Sequence, residues 1–269
     1  MAVHKSKRNI SRFEFEHTFA KFYDYSYTRT STIAKRRKKW LGFKIENIMN
    51  TAYDYIMQTS IRISRRGYPM MTKVELLKTA LTKLADLQKA LWVLWNVELY
   101  PTKRMVRWVM FANDALKMLV YEILKDDVSF ASNVEDIMIL DWEKMKKVAF
   151  LDNMSKLHQF THGKAIHAQN KYDGSTTSLL IELVDEAFYQ VICANTKIPK
   201  TQQEYKRRQE RLNKAIICLR EMNRPLLSYF NTQHYSENVM REWADMLQQE
   251  IKMLIALQKS DKARFKALP

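Results

Sequence analysis

Lysine and arginine side chains cluster in three places near the start of the chain: an N-terminal arm, a run that opens a predicted helix, and the turn after that helix. Cations gathered in this way are typical of surfaces that bind nucleic acid, where they replace the counterions of the phosphate backbone. The candidate nucleic-acid-binding residues are Lys5, Lys7, Arg8, Lys35, Arg36, Arg37, Lys38, Lys39, Lys44, Arg62, Arg65 and Arg66. The alternative is a solvated face that has no partner.

Three tyrosines, Tyr23, Tyr25 and Tyr27, lie close to these cations in the sequence. Aromatic rings beside a basic surface can stack on unpaired bases. Rings at helical spacing also pack along the edge of a bundle, and packing is the preferred interpretation.

The segment HQFTHGKAIH carries the one group of histidines with the character of metal ligands, His158, His162 and His167. The first two are four residues apart and therefore share a helix face. A zinc protease helix needs Glu directly after the first histidine, and Gln159 stands there. No cysteine or acidic cluster near them in the sequence completes a site, so we predict polar histidines at a helix end and no metal. A catalyst with a hidden metal site is kept as an alternative.

Catalytic motifs are missing from the sequence. There is no Walker loop, no G-x-G-x-x-G and no G-x-S-x-G, and four glycines in 269 residues leave little material for phosphate-binding loops. We therefore predict no catalytic residues, no cofactor and no enzymatic activity. Cys193 and Cys218 lack a paired spacing and indicate a reducing compartment. The basic N-terminus has no apolar run behind it and no segment is long enough to span a membrane, so the predicted location is cytoplasmic.

The net charge of +16 is distributed unevenly along the chain. Residues 1–130 hold 24 Lys and Arg against 12 Asp and Glu, a net charge of +12. The remaining residues hold 21 against 17, a net charge of +4. Such an asymmetry bears on partners rather than on fold, and it points to a polyanion that binds the first half.

An internal repeat organises the elements that carry these residues. Trp95–Asp126 aligns without gaps on Phe230–Asp261, 135 residues further on, with eight identities in 32 positions. Unrelated sequences would share about two. The identities include Trp108 with Trp243, and we interpret the match as an ancient duplication of one unit.

Apolar residues recur at helical spacing throughout, and no alternating strand pattern persists. The spacing predicts an all-α protein of two tandem up-and-down four-helix bundles: a basic arm over 1–10, module 1 over 11–127 and module 2 over 134–265. The eight predicted helices span residues 11–28, 36–63, 72–95, 102–125, 134–161, 178–195, 202–230 and 237–263. Gly163 and the pair Asp173-Gly174 are expected to mark the break after the fifth helix, and Pro225 to kink or break the seventh near Arg224.

Three stretches of module 1 resemble the accessory variability determinant (Avd) proteins, the small basic four-helix bundles encoded in diversity-generating retroelements. They are KRRKKWLGFKIENIMNTAYDYI, KVELLKTALTKLADLQKALWVLW and RMVRWVMFANDALKMLVYEI. These proteins are similar in turn to the four-helix proteins encoded by ribosomal RNA intervening sequences. The resemblance covers residues 11–126 directly and residues 137–265 through the repeat. Family members form ring-like pentamers and bind the element's reverse transcriptase and its template RNA, which implies a homo-oligomer with these partners.

Two departures from the family pattern concern module 2. Family members have one bundle per chain, so whole two-module chains cannot build a ring of five modules. The positions that match Lys35–Lys39 are Asn170, Lys171, Tyr172, Asp173 and Gly174, so the basic run is lost. Module 2 is therefore expected to serve structure or protein contact.

The resemblance and the charge asymmetry together predict a non-catalytic RNA-binding accessory subunit. It would scaffold a retroelement reverse transcriptase and its template RNA for cDNA synthesis, without membrane association. The main rival is a helical protein-interaction scaffold of a mobile element or defence system whose basic charge is incidental.

Overall fold

The computed structural model describes residues 12–33, 41–60, 71–97, 102–130, 149–169, 174–196, 198–232 and 235–268. The chain divides into two compact units, Met1–Ile139 and Leu140–Pro269. All regular secondary structure in the described residues is helical, which confirms the all-α prediction. None of the helices in this part of the chain has a stretch of the length and apolarity that crossing a membrane requires.

Unit 1 contains four long helices whose order along the chain is also their order around the bundle. They are α1 (Arg12–Thr30), α2 (Phe43–Ser60), α3 (Lys73–Asn96) and α4 (Thr102–Asp126), followed by a 3-10 turn at Val128–Phe130. Each helix packs on the next, and α4 packs on α1 to close the ring. Thr72 caps α3 in a reciprocal capping box with Glu75, which satisfies two backbone N–H groups at the helix start.

Unit 2 repeats this plan with one helix divided in two. Its helices are α5 (Ala149–Gln169), α6 (Gly174–Asn195), α7 (Gln202–Glu221), α8 (Asn223–Asn231) and α9 (Glu237–Arg264). Helix α5 packs on α6, α6 on α7, α7 on α9, and α9 back on α5. Short links between neighbouring antiparallel helices give the up-and-down arrangement that the spacing predicts.

The break between α7 and α8 lies at Met222, three residues before Pro225. Proline has no N–H to donate to the carbonyl four residues earlier, here that of Glu221, and its ring collides with that carbonyl. Helix α7 therefore ends at Glu221, close to the predicted position near Arg224.

The expected break at Gly163 is wrong, because α5 continues through this residue to Gln169. Glycine costs a helix interior only about 1 kcal/mol relative to alanine. Beyond it, Ala165 and Ala168 are buried against the core, and their packing outweighs that cost. The predicted start of this helix at residue 134 lies outside the described residues.

The 135-residue repeat reappears in the folded core. Helices α4 and α9 begin at Thr102 and Glu237, and α2 and α6 end at Ser60 and Asn195, in each case 135 residues apart. Equivalent core side chains are buried in both units: Phe15 and Phe150, Ala52 and Ala187, Leu84 and Leu219, Met105 and Met240, Trp108 and Trp243, Leu119 and Leu254.

Two polar interactions recur at the same offset. The Nε1 of Trp108 donates to Ser26 Oγ at 2.8 Å, and that of Trp243 donates to Thr161 Oγ1 at 3.0 Å. Both hydroxyl-bearing residues are fully buried, so each bond satisfies an indole N–H that could not reach water. The second interaction is an ion pair that joins the start of one helix to the end of another: Lys73 with Asp126 and Arg208 with Asp261.

Candidate functional site

Lys44 is the single member of the predicted nucleic-acid-binding set that lies within the described residues. It is half-buried in the first turn of α2. The other members lie outside the described residues: Lys5, Lys7, Arg8, Lys35, Arg36, Arg37, Lys38, Lys39, Arg62, Arg65 and Arg66. Their assignment stays a prediction.

Further cations accompany Lys44 at its end of unit 1. Helices α1 and α4 run antiparallel, because Tyr25 contacts Phe111 whereas the following Ser26 bonds to the earlier Trp108. Helix α2 is antiparallel to α1, because Phe19 contacts Tyr53 whereas the later Tyr23 bonds to the earlier Asn50. The end of α1 and the starts of α2 and α4 therefore share one end of the bundle. Its described cations, which we call the cationic end, are Arg29, Lys44, Lys103, Arg104 and Arg107.

A stack of guanidinium groups and aromatic rings occupies the seam between α1 and α4. The Arg29 guanidinium carbon lies 4.7 Å from the centre of the Tyr25 ring, and that of Arg107 lies 5.7 Å from it. Arg107 also lies 5.6 Å from the Phe111 ring, which meets Tyr25 edge-on at 5.0 Å. Cation–π contacts hold these side chains in place while their charge remains at the surface.

The three tyrosines beside the cations have different environments. Tyr25 is enclosed by this stack. The Tyr23 ring packs at a tilt against Tyr53, with 4.6 Å between ring centres, and its hydroxyl donates to Asn50 Oδ1 at 2.5 Å. Partial burial and neighbouring acidic groups raise the pKa of Tyr23, which keeps the hydroxyl protonated as a donor. Packing at the bundle edge is therefore right for these two. Tyr27 is 60% exposed and offers its ring to solvent.

Acidic side chains do not neutralise the three members of the cationic end that lie on α4. Lys103, Arg104 and Arg107 are exposed, and within the described parts of the chain none of them forms an ion pair. The opposite end of the same unit differs, because Lys73 and Lys78 there pair with Asp126 and Asp127 at 2.7 Å each. The lysine and Ser129 bonds lower the pKa of Asp127 to about 2.

Unit 2 provides an internal comparison, since the same fold carries different residues at the same positions. Lys164 is the one cation that remains among the equivalents of the cationic end. The others are Leu179 for Lys44, Asn238 for Lys103, Val239 for Arg104 and Glu242 for Arg107. A shared scaffold therefore does not require positive charge at these positions.

A second polar cluster, composed of His158, His162 and Asp185, lies buried in unit 2 between α5 and α6. The Nε2 atoms of His158 and His162 lie 3.0 and 2.7 Å from the same carboxylate oxygen, Asp185 Oδ1. Burial, followed by the neighbouring His162, lowers the pKa of His158 to about 4. Burial alone would raise the pKa of Asp185, but the two histidines outweigh it and hold that pKa below its usual range.

The sequence indicated two of the three members of this cluster and missed the third. His167, the third predicted candidate, is exposed and stands outside the cluster. Asp185 lies on the next helix, and within the sequence only the 135-residue alignment of the two units relates its position to that of His158. His158 and Asp185 occupy the positions of Tyr23 and Asn50, which are joined by a hydrogen bond in unit 1.

Fold and sites together define an all-α protein of two repeated helical units. One unit carries three exposed cations on α4 that form no ion pair with the described residues, and the other carries a buried His–Asp–His cluster. Comparison with protein-family models, with curated proteins and with solved structures gives no match.

Proposed function

We propose that the protein is a non-catalytic RNA-binding accessory subunit, which scaffolds a retroelement reverse transcriptase and its template RNA for cDNA synthesis. Unit 1 holds the structured RNA at its cationic end and orients it for the polymerase. Unit 2 completes the assembly through protein contacts, and the protein acts as a homo-oligomer.

The difference in charge between two units of one fold is the observation that carries this proposal. Unneutralised surface cations are costly to gather unless an anion binds them, because like charges repel. Four of the five described cations at the cationic end have neutral or acidic equivalents in unit 2, so the architecture does not demand them. Lysine and arginine side chains contact backbone phosphates without reading a base.

The experiment measures binding of a fluorescent structured RNA by anisotropy at several salt concentrations. One variant changes Lys44, Lys103, Arg104 and Arg107 to Gln. Each phosphate contact contributes about 0.7–0.9 to the slope of log affinity against log salt. If most of the four side chains make such contacts, the slope falls by about 2–3 and the affinity at low salt by at least about 100-fold.

A control variant removes the same number of charges from unit 2, by changing the exposed residues Lys206, Arg220, Lys252 and Lys259 to Gln. It should keep nearly the wild-type affinity, because net charge alone contributes only weak attraction. Equal losses in the two variants, or no RNA binding by the wild-type protein at moderate salt, would contradict the assignment.

An exposed apolar face on α8 favours a second candidate function, a helical protein-interaction scaffold. Leu227 and Phe230 lie one turn apart on this helix and are 60% and 52% exposed. Changing both to Ser should abolish capture of a protein partner while RNA affinity stays unchanged. The rival interpretation gains support if the protein co-purifies with a protein partner and without nucleic acid.

A further inference from the structure

We propose that His158, His162 and Asp185 bind a divalent transition-metal ion, with Zn²⁺ as the natural probe, and that the ion ties α5 to α6. This site lies in unit 2 and is independent of RNA binding. The sequence did not predict it, because one ligand comes from a different helix.

Helix geometry brings the donor atoms together. His158 and His162 are one turn apart on α5, so their imidazoles share a face, and Asp185 projects from α6 to meet both. One donor atom from each residue lies within 4.8 Å of the others. Cores of helical bundles are common places for metal sites built in this way from facing helices.

The distances fit a cation after a small adjustment. Ligand atoms at about 2.0–2.2 Å from a tetrahedral zinc are separated from each other by about 3.3–3.5 Å. The two nitrogen–oxygen separations are 3.0 and 2.7 Å, so the side chains must open by roughly half an ångström to admit the ion. Each Nε2 then gives up its hydrogen bond to the carboxylate, the ring proton moves to Nδ1, and the freed Nε2 lone pair faces the metal.

The donor set suits the chemistry of the ion. Two imidazoles and one carboxylate are ligands that zinc and neighbouring first-row metals share. Binding needs neutral histidines and an ionised carboxylate. The three buried side chains supply three protein ligands, so a water molecule would complete the four-coordinate geometry.

Unit 1 has other residues at the three positions that correspond to the His–Asp–His cluster of unit 2. The equivalents of His158, His162 and Asp185 are Tyr23, Tyr27 and Asn50. The ring contact is retained, because Tyr23 lies 4.6 Å from Tyr53 and His158 lies 4.4 Å from Phe188. A polar contact between these helices can thus be made without ligands, and the His–Asp–His set adds the capacity to bind a metal.

The test is a zinc titration of the full chain, stripped with a chelator, against a chromogenic competitor. A triple variant, His158→Tyr with His162→Tyr and Asp185→Asn, installs the residue types that occupy these three positions in unit 1. The wild-type protein should bind one zinc more than this variant. Asp185→Asn alone should weaken binding by at least about 100-fold, since losing a ligand costs no less than losing an outer-shell partner. The exposed His167→Ala control should bind zinc like the wild type.

Two further measurements keep the proposal open to refutation if the triple variant does not fold. Zinc at about 100 times its dissociation constant should raise the Tm of the wild-type protein by about 10 °C and leave that of Asp185→Asn unchanged. Cobalt should give the visible absorption of a four-coordinate site in the wild type alone. Equal zinc binding by the wild type and Asp185→Asn, or a wild-type Tm that zinc does not move, would overturn the assignment.

Discussion

The repeated ion pair allows the cost of burying a charge to be measured inside one protein. Lys73 Nζ lies 2.7 Å from Asp126 Oδ2 in unit 1, and Arg208 Nε lies 2.6 Å from Asp261 Oδ2 in unit 2. The side chains are 50% and 41% exposed in the first pair but 11% and 3% exposed in the second. We predict that Asp261→Asn destabilises the protein far more than Asp126→Asn does.

The magnitudes follow from solvation. An exposed ion pair contributes about 0–1 kcal/mol, because water and salt screen both charges. Removal of one partner from a buried pair costs about 3–5 kcal/mol, since the remaining charge has lost its counter-charge but not its burial. Arg208 keeps its bond to the backbone carbonyl of Ala194, which partly satisfies the guanidinium. We therefore expect a loss of about 3 kcal/mol for Asp261→Asn and less than about 1 kcal/mol for Asp126→Asn.

Urea denaturation followed by helical circular dichroism measures both changes in the free energy of unfolding. The two units can unfold in separate steps, so the transition that each variant moves is compared with the same transition of the wild type. An unchanged slope in urea shows that the variant altered stability and not the unfolded state. If the two variants shift their transitions equally, burial does not control the strength of this ion pair and the reasoning fails.

Two further predictions concern other buried polar groups. Ser26→Ala and Thr161→Val each leave a buried indole N–H unpaired and should each lower the free energy of unfolding by about 1–3 kcal/mol; equal stability of variant and wild type in urea would show that the repeated bond is dispensable. Burial raises the pKa of Glu250 to about 7, opposed only by its bond from Asn153. Because the folded pKa lies above the unfolded value, the contribution of Glu250 to the free energy of unfolding is fully present below about pH 4.5. It is lost as the pH rises through 7, which lowers the free energy of unfolding by about 3 kcal/mol. Glu250→Gln should remove this pH dependence. If the free energy of unfolding of the variant falls with pH as steeply as that of the wild type, the prediction is wrong.

Local chemistry explains which features of the fold could be predicted from the sequence. The effect of Pro225 depends on its own ring and the carbonyl four residues before it, so the break at Met222 is within reach of sequence reasoning. Gly163 is a different case, because the helix continues only as a result of packing beyond it by Ala165 and Ala168. A weak local preference predicts poorly wherever tertiary burial opposes it.

The candidate sites show the same limit more strongly. His158 and His162 are four residues apart and visible as a pair, whereas Asp185 is 23 residues beyond His162 and meets it only in the folded bundle. The stack of Arg29 and Arg107 on Tyr25 joins two helices that are distant in sequence, so composition shows the charge but not its arrangement. The number of charged residues can be counted from the sequence, but the arrangement of their side chains depends on how the helices pack.

The two units differ most at polar positions that their shared fold does not constrain. Both retain the terminal ion pair, and both retain the buried tryptophan bond, whose loss would leave an indole N–H without a partner. Other polar positions have diverged: Asn50 corresponds to Asp185, and Ala115 corresponds to Glu250, a buried carboxyl that the frame does not need. A buried ionisable group that lowers stability near neutral pH persists more readily if it has a use. The acidic interior of unit 2 and the cationic surface of unit 1 are therefore the places where experiments should separate the roles of the two copies.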